Sequence, residues 1–304
     1  MKFLLIVNSA AGQHRTDDVQ TELVEAFQSE LPAISYTDAA GDAERHAFDG
    51  AMSGKFDAIV AVGGDGTVNE VVNGLMAAQA RGKSATLGVI PTGTSNILAS
   101  ELRIPWPDIA SSVDVLLGGR TQKIDLCRQN DRYFLLMASF GIDAEAVRDV
   151  FLPLKGIVGP GAYVMSGLAA LAKYEPSKMT LSLDDEVVTF DAFLAVVANV
   201  SNYALAGVKI APFAAIDDGW LDVCIFEKPP LHRIGFVGQV MLMLARRHLG
   251  DPRFRYYRAR KVRIESQPQV AAQLDGDPIG DTPVEIEIVP NALNIIVPAG
   301  ISRL

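Results

Sequence analysis

The chain of 304 residues contains only two cysteines, Cys127 and Cys224, which lie far apart in the sequence. Two distant cysteines form neither a disulfide framework nor a zinc site built on cysteine pairs. The four histidines are scattered without the spacing of metal ligands. The sequence therefore fits a protein of a reducing compartment and predicts no site of the zinc-finger kind.

Long apolar runs are also missing. The N-terminal run Phe3–Val7 is five residues long and ends at Asn8, which is shorter than the roughly 7–15 residues of a secretory signal core. No stretch reaches the roughly 18 apolar residues that a membrane-spanning helix needs. We therefore expect a cytoplasmic protein that is at most peripheral to the inner face of the membrane.

Positive charge is in short supply. The sequence has 27 Lys and Arg residues against 36 Asp and Glu residues, which gives a net charge of −9. This balance argues against a uniformly basic face of the kind that binds nucleic acid, while it allows a local basic patch, and we expect no nucleic-acid partner. With 49% hydrophobic and 21% charged residues, the composition is that of a folded globular protein.

In the first third of the chain, short apolar strands alternate with amphipathic helices, a pattern that predicts a parallel sheet covered on both faces. The predicted strands are Lys2–Val7, Ile34–Thr37, Ala58–Val62 and Leu87–Ile90, and the predicted helices are Asp17–Leu31, Ala43–Met52, Val68–Ala80 and about Ser95–Leu102.

The pattern changes to mainly β structure after a boundary near residues 121–125. The fold class is therefore α/β, with a doubly wound parallel-sheet domain (1–122) and a mainly antiparallel β domain (123–304), whose last strand is allowed to return to the first domain. The predicted strands here are Tyr133–Ser139, Val187–Val200, Leu221–Phe226, Lys261–Glu265, Val270–Leu274, Val284–Val289 and Leu293–Val297, and the predicted helices are Ala144–Phe151, Gly161–Lys173 and Leu231–Leu249.

The segment Gly63-Gly64-Asp65-Gly66-Thr67 stands between a predicted strand and a predicted helix. Glycines after a strand permit a tight turn and a close approach of backbone to a ligand. The free N–H groups of the following helix suit phosphate, and Asp65 adds a hard oxygen for magnesium held on phosphate. A plain strand-to-helix turn is the alternative for this segment alone.

Two more small-residue loops follow neighbouring strands, Asn8–Gly12 and Pro91–Asn96. Taken alone, the second loop is better explained by helix capping through Thr94, Ser95 or Asn96 than by phosphate binding. Three such loops at the carboxyl ends of parallel strands, however, would line one crevice, where open α/β sheets bind ligands. Neither the Gly-x-x-x-x-Gly-Lys-Ser/Thr motif nor the Gly-x-Gly-x-x-Gly fingerprint after the first strand is present, which argues against P-loop enzymes and dehydrogenases.

These motifs together resemble the diacylglycerol kinase catalytic domain family, which includes bacterial lipid kinases, sphingosine kinases and ceramide kinases. The resemblance covers nearly the whole chain. It is carried by Gly63–Gly74, Asn8–Gly12, Pro91–Asn96, Phe140–Ala144, Gly159–Tyr163, Asp217–Asp222 and Leu274–Asp277. It implies a nucleotide-binding kinase domain over residues 1–122, a β-rich lipid-binding domain over residues 123–304, and ATP and Mg²⁺ as cofactors.

The resemblance also implies roles for particular residues. Asp275 would be the base that acts on the lipid hydroxyl, with Asp277 as a second acid, and Asp65 would bind or organise the catalytic magnesium. Asp143 lies where sphingosine kinases hold the lipid head group. The nucleotide would contact Asn8, Gly12, Gly63, Gly64, Asp65, Gly66, Thr67, Gly93, Thr94 and Asn96, and a structural magnesium would rest on Asp218 with main-chain oxygens near Ala215 and Trp220.

Two features leave alternatives open. Asp275-Gly276 is also a strong hairpin-turn signal, and periodicity alone favours the turn. Ile97 occupies the position directly after the second loop, where some bacterial diacylglycerol kinases carry Asp. This departure leaves sphingoid and ceramide acceptors open beside diacylglycerol.

A cluster of seven arginines and one lysine falls within residues Arg246–Arg263, against one acid, Asp251. Such a cluster could dock on an anionic membrane, with help from the apolar segment Leu231–Leu249. The alternative is a core helix followed by arginines that form a solvated face or internal ion pairs.

The sequence thus predicts a lipid kinase that transfers the ATP γ-phosphoryl group to a hydroxyl of diacylglycerol, a sphingoid base or ceramide. An NAD kinase is the first alternative, since that family shares Gly-Gly-Asp-Gly-Thr, and a non-catalytic lipid-binding regulatory module is the second. The oligomeric state is left open, a homodimer included.

Overall fold

The N-terminal region of the computed structural model, which describes residues 1–9, 16–27, 32–150, 174–203 and 205–299, is built on parallel strands. Strand β1 pairs with β2 and β3, and β3 pairs with β4, all parallel. In chain order its elements are β1 (Phe3–Asn8), α1 (Thr16–Phe27), β2 (Ala33–Thr37), α2 (Asp42–Ser53), β3 (Ala58–Gly63), α3 (Asp65–Gln79), β4 (Thr86–Pro91), α4 (Ile97–Glu101) and α5 (Ile109–Gly118). The predicted alternation of strands and helices is confirmed.

Helix α5 was not predicted from the sequence. It buries Ile109, Val113 and Leu116, and the Asp108 carboxylate caps it by accepting a hydrogen bond from the Ser111 amide at 3.2 Å. The apolar spacing and the cap are therefore both ordinary helix signals.

The C-terminal region is mainly antiparallel. Its elements are β5 (Arg120–Gln129), β6 (Arg132–Phe134), β7 (Met137–Gly141), α6 (Ile142–Val150), β8 (Ser177–Leu183), β9 (Glu186–Ala198), β10 (Asn202–Tyr203), β11 (Leu205–Lys209), β12 (Leu221–Glu227), α7 (His232–Leu244), a 3₁₀ turn (His248–Gly250), β13 (Phe254–Ala259), β14 (Lys261–Gln267), β15 (Ala271–Leu274), β16 (Asp277–Asp281) and β17 (Val284–Val297). The predicted helix Gly161–Lys173 lies outside the described residues.

The structure corrects two predicted strands. Tyr133–Ser139 is not one strand, because pairing stops at Leu135 and Leu136 between β6 and β7. Conversely, the two strands predicted between Val284 and Val297 form the single strand β17, which shifts register between Val289 and Leu293. A bulge of this kind keeps a strand continuous while its pairing is interrupted.

Strand β17 connects the two regions. It pairs antiparallel with β5 and β14 and parallel with β4, where Ile295 faces Leu87. The sheet order β17-β4-β3-β1-β2 places β3 and β4 side by side in the middle of the parallel part. The loops after β3 and β4 therefore leave the sheet next to each other. No helix among the described residues combines the length and apolarity needed to cross a membrane.

Candidate active site

The loops that follow β3 and β4 touch through two glycines. A Cβ atom added to Gly93 would lie 2.5 Å from the Gly64 Cα atom, closer than van der Waals contact permits. The Thr92 amide also donates to the Gly63 carbonyl at 3.0 Å. The two glycine loops thus form one continuous backbone surface at the carboxyl edge of the sheet, beside the N-terminus of α3.

The first glycine loop is also fastened to β1. The Asn8 side chain, at the end of β1, donates from Nδ2 to the Thr67 hydroxyl at 2.8 Å. A Cβ on Gly63 would lie 2.4 Å from the same hydroxyl oxygen, so glycine is required at this position. The structure therefore brings together the predicted residues Asn8, Gly63 and Thr67, whereas Gly12 lies outside the described residues.

Asn96 closes the second loop on itself. Its side chain accepts from the Gly93 amide at 3.1 Å and donates to the Gly93 carbonyl at 2.7 Å. The residue has φ +45°, a conformation that Asn tolerates better than most residues. Thr94 stands at the exposed tip of this loop and Gly66 is exposed in the first turn of α3, so both are accessible to a ligand.

The Asp65 side chain crosses from the first glycine loop to the helix after the second one. Its two oxygens accept hydrogen bonds from the amides of Ile97 and Leu98, at 3.0 and 3.1 Å. Burial raises the pKa of the Asp65 carboxyl, and these two amide hydrogen bonds oppose the rise. Asp65 therefore connects the two loops by hydrogen bonds and also places a carboxyl group beside them.

Asp275 occupies a two-residue turn between β15 and β16. Asp275 and Gly276 have φ of +46° and +89°, and Leu274 pairs with Asp277 across the turn. The hairpin that the Asp-Gly signal predicts is thus confirmed. Asp277 begins β16 and is exposed.

The Asp275 carboxylate fills the break between β6 and β7. One oxygen accepts from the amides of Leu136 and Met137, both at 2.9 Å, and the other accepts from the Leu135 amide at 2.8 Å. Burial raises the pKa of Asp275 to about 6, against the opposing effect of these hydrogen bonds. The strand predicted over Tyr133–Ser139 is interrupted here because these amides donate to the Asp275 carboxylate and not to the carbonyl groups of a neighbouring strand.

Asn69 connects α3 to Asp275, a role that sequence reasoning did not give it. Its Nδ2 atom donates to the Asp275 carboxylate at 3.1 Å, and it lies four residues after Asp65 on α3, hence on the same helix face. Asn73, one turn further, is buried and exchanges hydrogen bonds with the backbone of Tyr133. The available signal was a pair of amide side chains at i and i+4 beside the apolar face of the helix.

Asp143, in the first turn of α6, belongs to a polar network beside the Asp275 hairpin. Its carboxylate accepts from the Ser139 hydroxyl at 2.5 Å. Gln273 donates to the Ser139 oxygen at 2.7 Å and accepts from the Gly276 amide at 2.6 Å. A chain of hydrogen bonds therefore runs from the hairpin turn to Asp143.

The predicted structural-magnesium residues lie away from this group, before β12. The Asp218 carboxylate accepts from the Trp220 amide at 3.1 Å and is ion-paired with Arg258. Trp220 is also covered by the Arg260 guanidinium, 4.7 Å from the ring centroid. In the part of the chain that the structure describes, no cluster of three or more His, Cys, Asp or Glu residues is placed to hold a metal ion.

The donor set beside the glycine loops fits magnesium bound through a nucleotide. Asp65 is one hard oxygen donor, and Mg²⁺ is commonly held by one or two carboxylates together with phosphate oxygens and water. A site of this kind needs no three-residue protein cluster. The residues present are therefore compatible with a metal that arrives on the phosphates.

The basic segment Arg246–Arg263 divides into two parts. Its strand residues are largely paired with carboxylates: Arg255 with Glu227, Arg258 with Asp218, Lys261 with Glu285 and Arg263 with Glu265. Arg246 and Arg247, next to the end of α7, are exposed. The strand residues of this segment therefore form ion pairs within the protein, which is one of the alternatives that the sequence left open.

Two family matches cover most of the sequence. Residues 2–129 match the diacylglycerol kinase catalytic domain, and residues 137–297 match the YegS C-terminal NAD kinase beta sandwich-like domain. The diacylglycerol kinase of Bacillus subtilis (strain 168) is 33% identical over 262 residues, which cover 86% of this chain and 84% of that protein. The diacylglycerol kinase of Staphylococcus aureus (strain bovine RF122 / ET3-1) is 32% identical over 297 residues, covering 97% and 91%.

Solved structures show the same architecture. A diacylglycerol kinase structure from Bacillus anthracis str. Sterne superposes with a TM-score of 0.75 at 23% identity, covering 99% of this chain and 98% of that one. A further structure from the same organism gives a TM-score of 0.80 at 25% identity, covering 98% and 97%. The predicted fold class is confirmed by these likenesses.

Proposed function

The chain belongs to the diacylglycerol kinase family, and from this membership we propose that it transfers the γ-phosphoryl group of ATP to the hydroxyl group of a membrane lipid. The observation that carries the proposal is the first turn of α3. Asp65 there braces the paired glycine loops, and Asn69, on the same helix face, donates to Asp275. The four-residue step from Asp65 to Asn69 along α3, a rise of about 6 Å, thereby connects a surface suited to phosphate with a half-buried acid of raised pKa.

Phosphoryl transfer needs an in-line hydroxyl, neutralised phosphate oxygens and an acceptor for the hydroxyl proton. In our proposal the amides of the glycine loops and the N-terminus of α3 bind the nucleotide phosphates, together with Asn8 and Thr94. Magnesium, when bound on the phosphates beside Asp65, supplies the neutralising charge, since the first glycine loop contains no lysine.

Asp275 is proposed as the group that orients and deprotonates the lipid hydroxyl. A base with a pKa of about 6 is ionised at neutral pH and is still basic enough to accept a proton in the transition state. Its hydrogen bonds to the backbone of Leu135, Leu136 and Met137 hold the carboxylate in one orientation. The roles of Asp143 in holding the acceptor head group and of Asp277 as a second acid remain predictions that the resemblance implies.

Diacylglycerol is the first acceptor that we propose, because relatives spanning most of the chain carry that activity in their names. Ile97, which is buried at the start of α4, stands where some bacterial diacylglycerol kinases carry an acid. Sphingoid bases and ceramide therefore stay in the proposal as alternative acceptors of the same hydroxyl chemistry.

An acceptor panel tests the proposal. The purified chain is incubated with ATP and Mg²⁺ and with diacylglycerol, monoacylglycerol, sphingosine, ceramide, phosphatidylglycerol or NAD, each in detergent micelles where needed, and transfer of the γ-phosphoryl group is followed. We expect transfer to one lipid class, with diacylglycerol first. Phosphorylation of NAD but of no lipid would establish the NAD kinase alternative. Lipid binding without ATP consumption would instead establish the regulatory-module alternative.

A further inference from the structure

Helix α7 departs from the usual surface-helix pattern, in which apolar residues face inward and polar residues face water, because its outward face is apolar as well. After the exposed His232 at its start, the exposed residues of the helix and of its C-cap are all apolar or small: Ile234, Val237, Gly238, Met241, Leu242, Leu244 and Ala245. Ile234 is 75% exposed and Met241 is 60% exposed. Gln239, by contrast, is buried, and its Oε1 atom has no hydrogen-bond partner among the described residues. We call the exposed large side chains Ile234, Val237, Met241 and Leu244 the α7 stripe.

The inner side of the helix fixes this orientation. Phe236 stacks on Phe193 of β9 with ring centroids 4.8 Å apart, and it meets the edge of Phe226 of β12 at 6.3 Å. Met243 is buried on the same side. Rotation of α7 to hide the stripe would expose this aromatic cluster to water. The fold therefore holds a row of large apolar side chains outward, at a cost that contact with an apolar phase would remove.

The charged residues on α7 and directly after it are arginines, and Arg233 in its first turn is ion-paired with Glu175 at 2.6 Å. No Asp or Glu occurs between Lys228 and Gly250, whereas Arg246 and Arg247 follow the helix directly. Both arginines are exposed, and Arg246 donates to the Gly207 carbonyl at 3.1 Å. An apolar helix face with no acid on the helix itself and two exposed arginines at its end is the composition of helices that lie in the surface of anionic membranes.

We propose that the α7 stripe inserts into the surface of an anionic lipid bilayer, with Arg246 and Arg247 on the head-group phosphates. The proposal rests on the proposed function only in that a lipid kinase must reach its acceptor. It places the contact on α7 and its two following arginines rather than on the strand residues of the basic segment, which are paired with acids. Strand β9, on which α7 packs, pairs with β7 up to Gly141, two residues before Asp143.

Vesicle sedimentation without ATP tests the docking directly. The full chain is mixed with vesicles of phosphatidylcholine alone or of phosphatidylcholine with phosphatidylglycerol, at low and high salt. We expect binding to the anionic vesicles that weakens with salt. In the double variant Ile234→Glu/Met241→Glu, affinity should fall about tenfold or more, because two side chains no longer enter the apolar phase. In Arg246→Gln/Arg247→Gln it should fall about fivefold per arginine.

The matched control is Leu117→Glu/Val187→Glu, which adds the same charge at two exposed apolar positions outside the stripe, 58% and 65% exposed. This variant should bind vesicles nearly as well as the original chain. Insertion itself is read from Ile234→Cys carrying an environment-sensitive fluorophore, which is feasible because Cys127 and Cys224 are both buried. Its emission should shift to the blue on anionic vesicles, and that of Leu117→Cys should not.

Four results would overturn the proposal. The first is an original chain that ignores anionic vesicles at low salt, and the second is a stripe variant that binds them as tightly as the control. The third is a stripe variant with a much lower melting temperature than the control, which would mean that the stripe packs within the protein. The fourth is a dimer that the stripe variant dissociates while vesicle binding is unchanged.

A chain that phosphorylates lipid in micelles but does not bind vesicles would contradict only the docking, and one that binds vesicles but transfers no phosphoryl group would contradict only the proposed function.

Discussion

Two hairpins of the C-terminal region use an aspartate in the same way. Asp184 joins β8 to β9 and Asp275 joins β15 to β16, with φ of +51° and +46°. The Asp184 amide donates to the Lys261 carbonyl and its carboxylate accepts from the amides of Arg260 and Lys261. The Asp275 amide likewise donates to the Met137 carbonyl, and its carboxylate accepts amides of that neighbouring strand.

The surroundings of the two turns differ. Asp184 is exposed at the edge of the structure. Asp275 is packed against α3, where Asn69 supplies one more donor and burial raises the pKa to about 6. An aspartate that accepts hydrogen bonds from the backbone amides of a neighbouring strand is therefore a structural feature of these hairpins in itself. Placement against the phosphate-binding helix is what makes Asp275 a candidate base.

The largest expected effect separates the two turns by activity. Asp275→Ala should lower kcat on the lipid acceptor by about 100-fold to 10,000-fold, since the proton acceptor is lost. Asp184→Ala, the matched control, should change kcat by less than about threefold because only a peripheral clasp is removed. Steady-state kinetics on both variants, with circular dichroism to verify folding, makes the test. Near-normal activity of Asp275→Ala would show that Asp275 is not the catalytic base.

A second pair of variants sharpens the comparison on the N-terminal side. Asp65→Ala should lower kcat by about a hundredfold or more, because the brace between the loops and the acid beside the phosphates are lost together. Asp108→Ala removes only the cap of α5 and should leave kcat nearly unchanged while lowering the free energy of unfolding by about 1 kcal/mol. Comparable kcat values for the two variants would show that Asp65 is an ordinary helix cap.

The pH dependence of kcat/KM should report the ionisation of the Asp275 carboxyl. Because the base must be ionised, kcat/KM should fall as the pH drops through about 6, the raised pKa of Asp275. Asn69→Ala removes a hydrogen bond that lowers this pKa, so the acid limb should move to higher pH and kcat should fall about tenfold. An acid limb that Asn69→Ala leaves in place would mean that another group titrates.

The smallest expected effects concern stability. Asp275 has a folded-state pKa above its usual 3.8, so the folded protein binds its proton more tightly than the unfolded chain. The contribution of this carboxyl to the free energy of unfolding therefore decreases as the pH rises from about 4 to about 6. Denaturant unfolding at both pH values should show this decrease in the original chain and in Asp184→Ala, but not in Asp275→Ala.

At neutral pH, both turn variants should also be less stable, because the carboxylate that accepts hydrogen bonds from backbone amides is removed. We expect the free energy of unfolding to fall by about 1–3 kcal/mol in Asp275→Ala, which leaves backbone amides of the β6–β7 break without an acceptor. In Asp184→Ala it should fall by about 0.5–1.5 kcal/mol. Equal losses in the two variants would show that burial adds nothing to the clasp at Asp275.

Much of the site could be predicted from local sequence. The glycine loops, the strands that precede them and the hairpin at Asp275-Gly276 follow from turn chemistry and apolar periodicity, and the family resemblance read from the motifs is confirmed. Asn69 escaped this reasoning because its partner, Asp275, lies 206 residues away in the sequence. The break between β6 and β7 escaped it for the same reason, since Leu135 and Leu136 look like ordinary strand residues.

Local sequence thus determined the elements of this protein: where strands turn into helices, where the chain can take a positive φ, and which loops can approach a phosphate. Those properties depend on near neighbours in the chain and on the shape of each side chain. Only the tertiary structure decided which of two similar aspartates is buried against α3 and which face of α7 points outward. Burial, and the pKa and exposure that follow from it, are set by residues distant in the sequence.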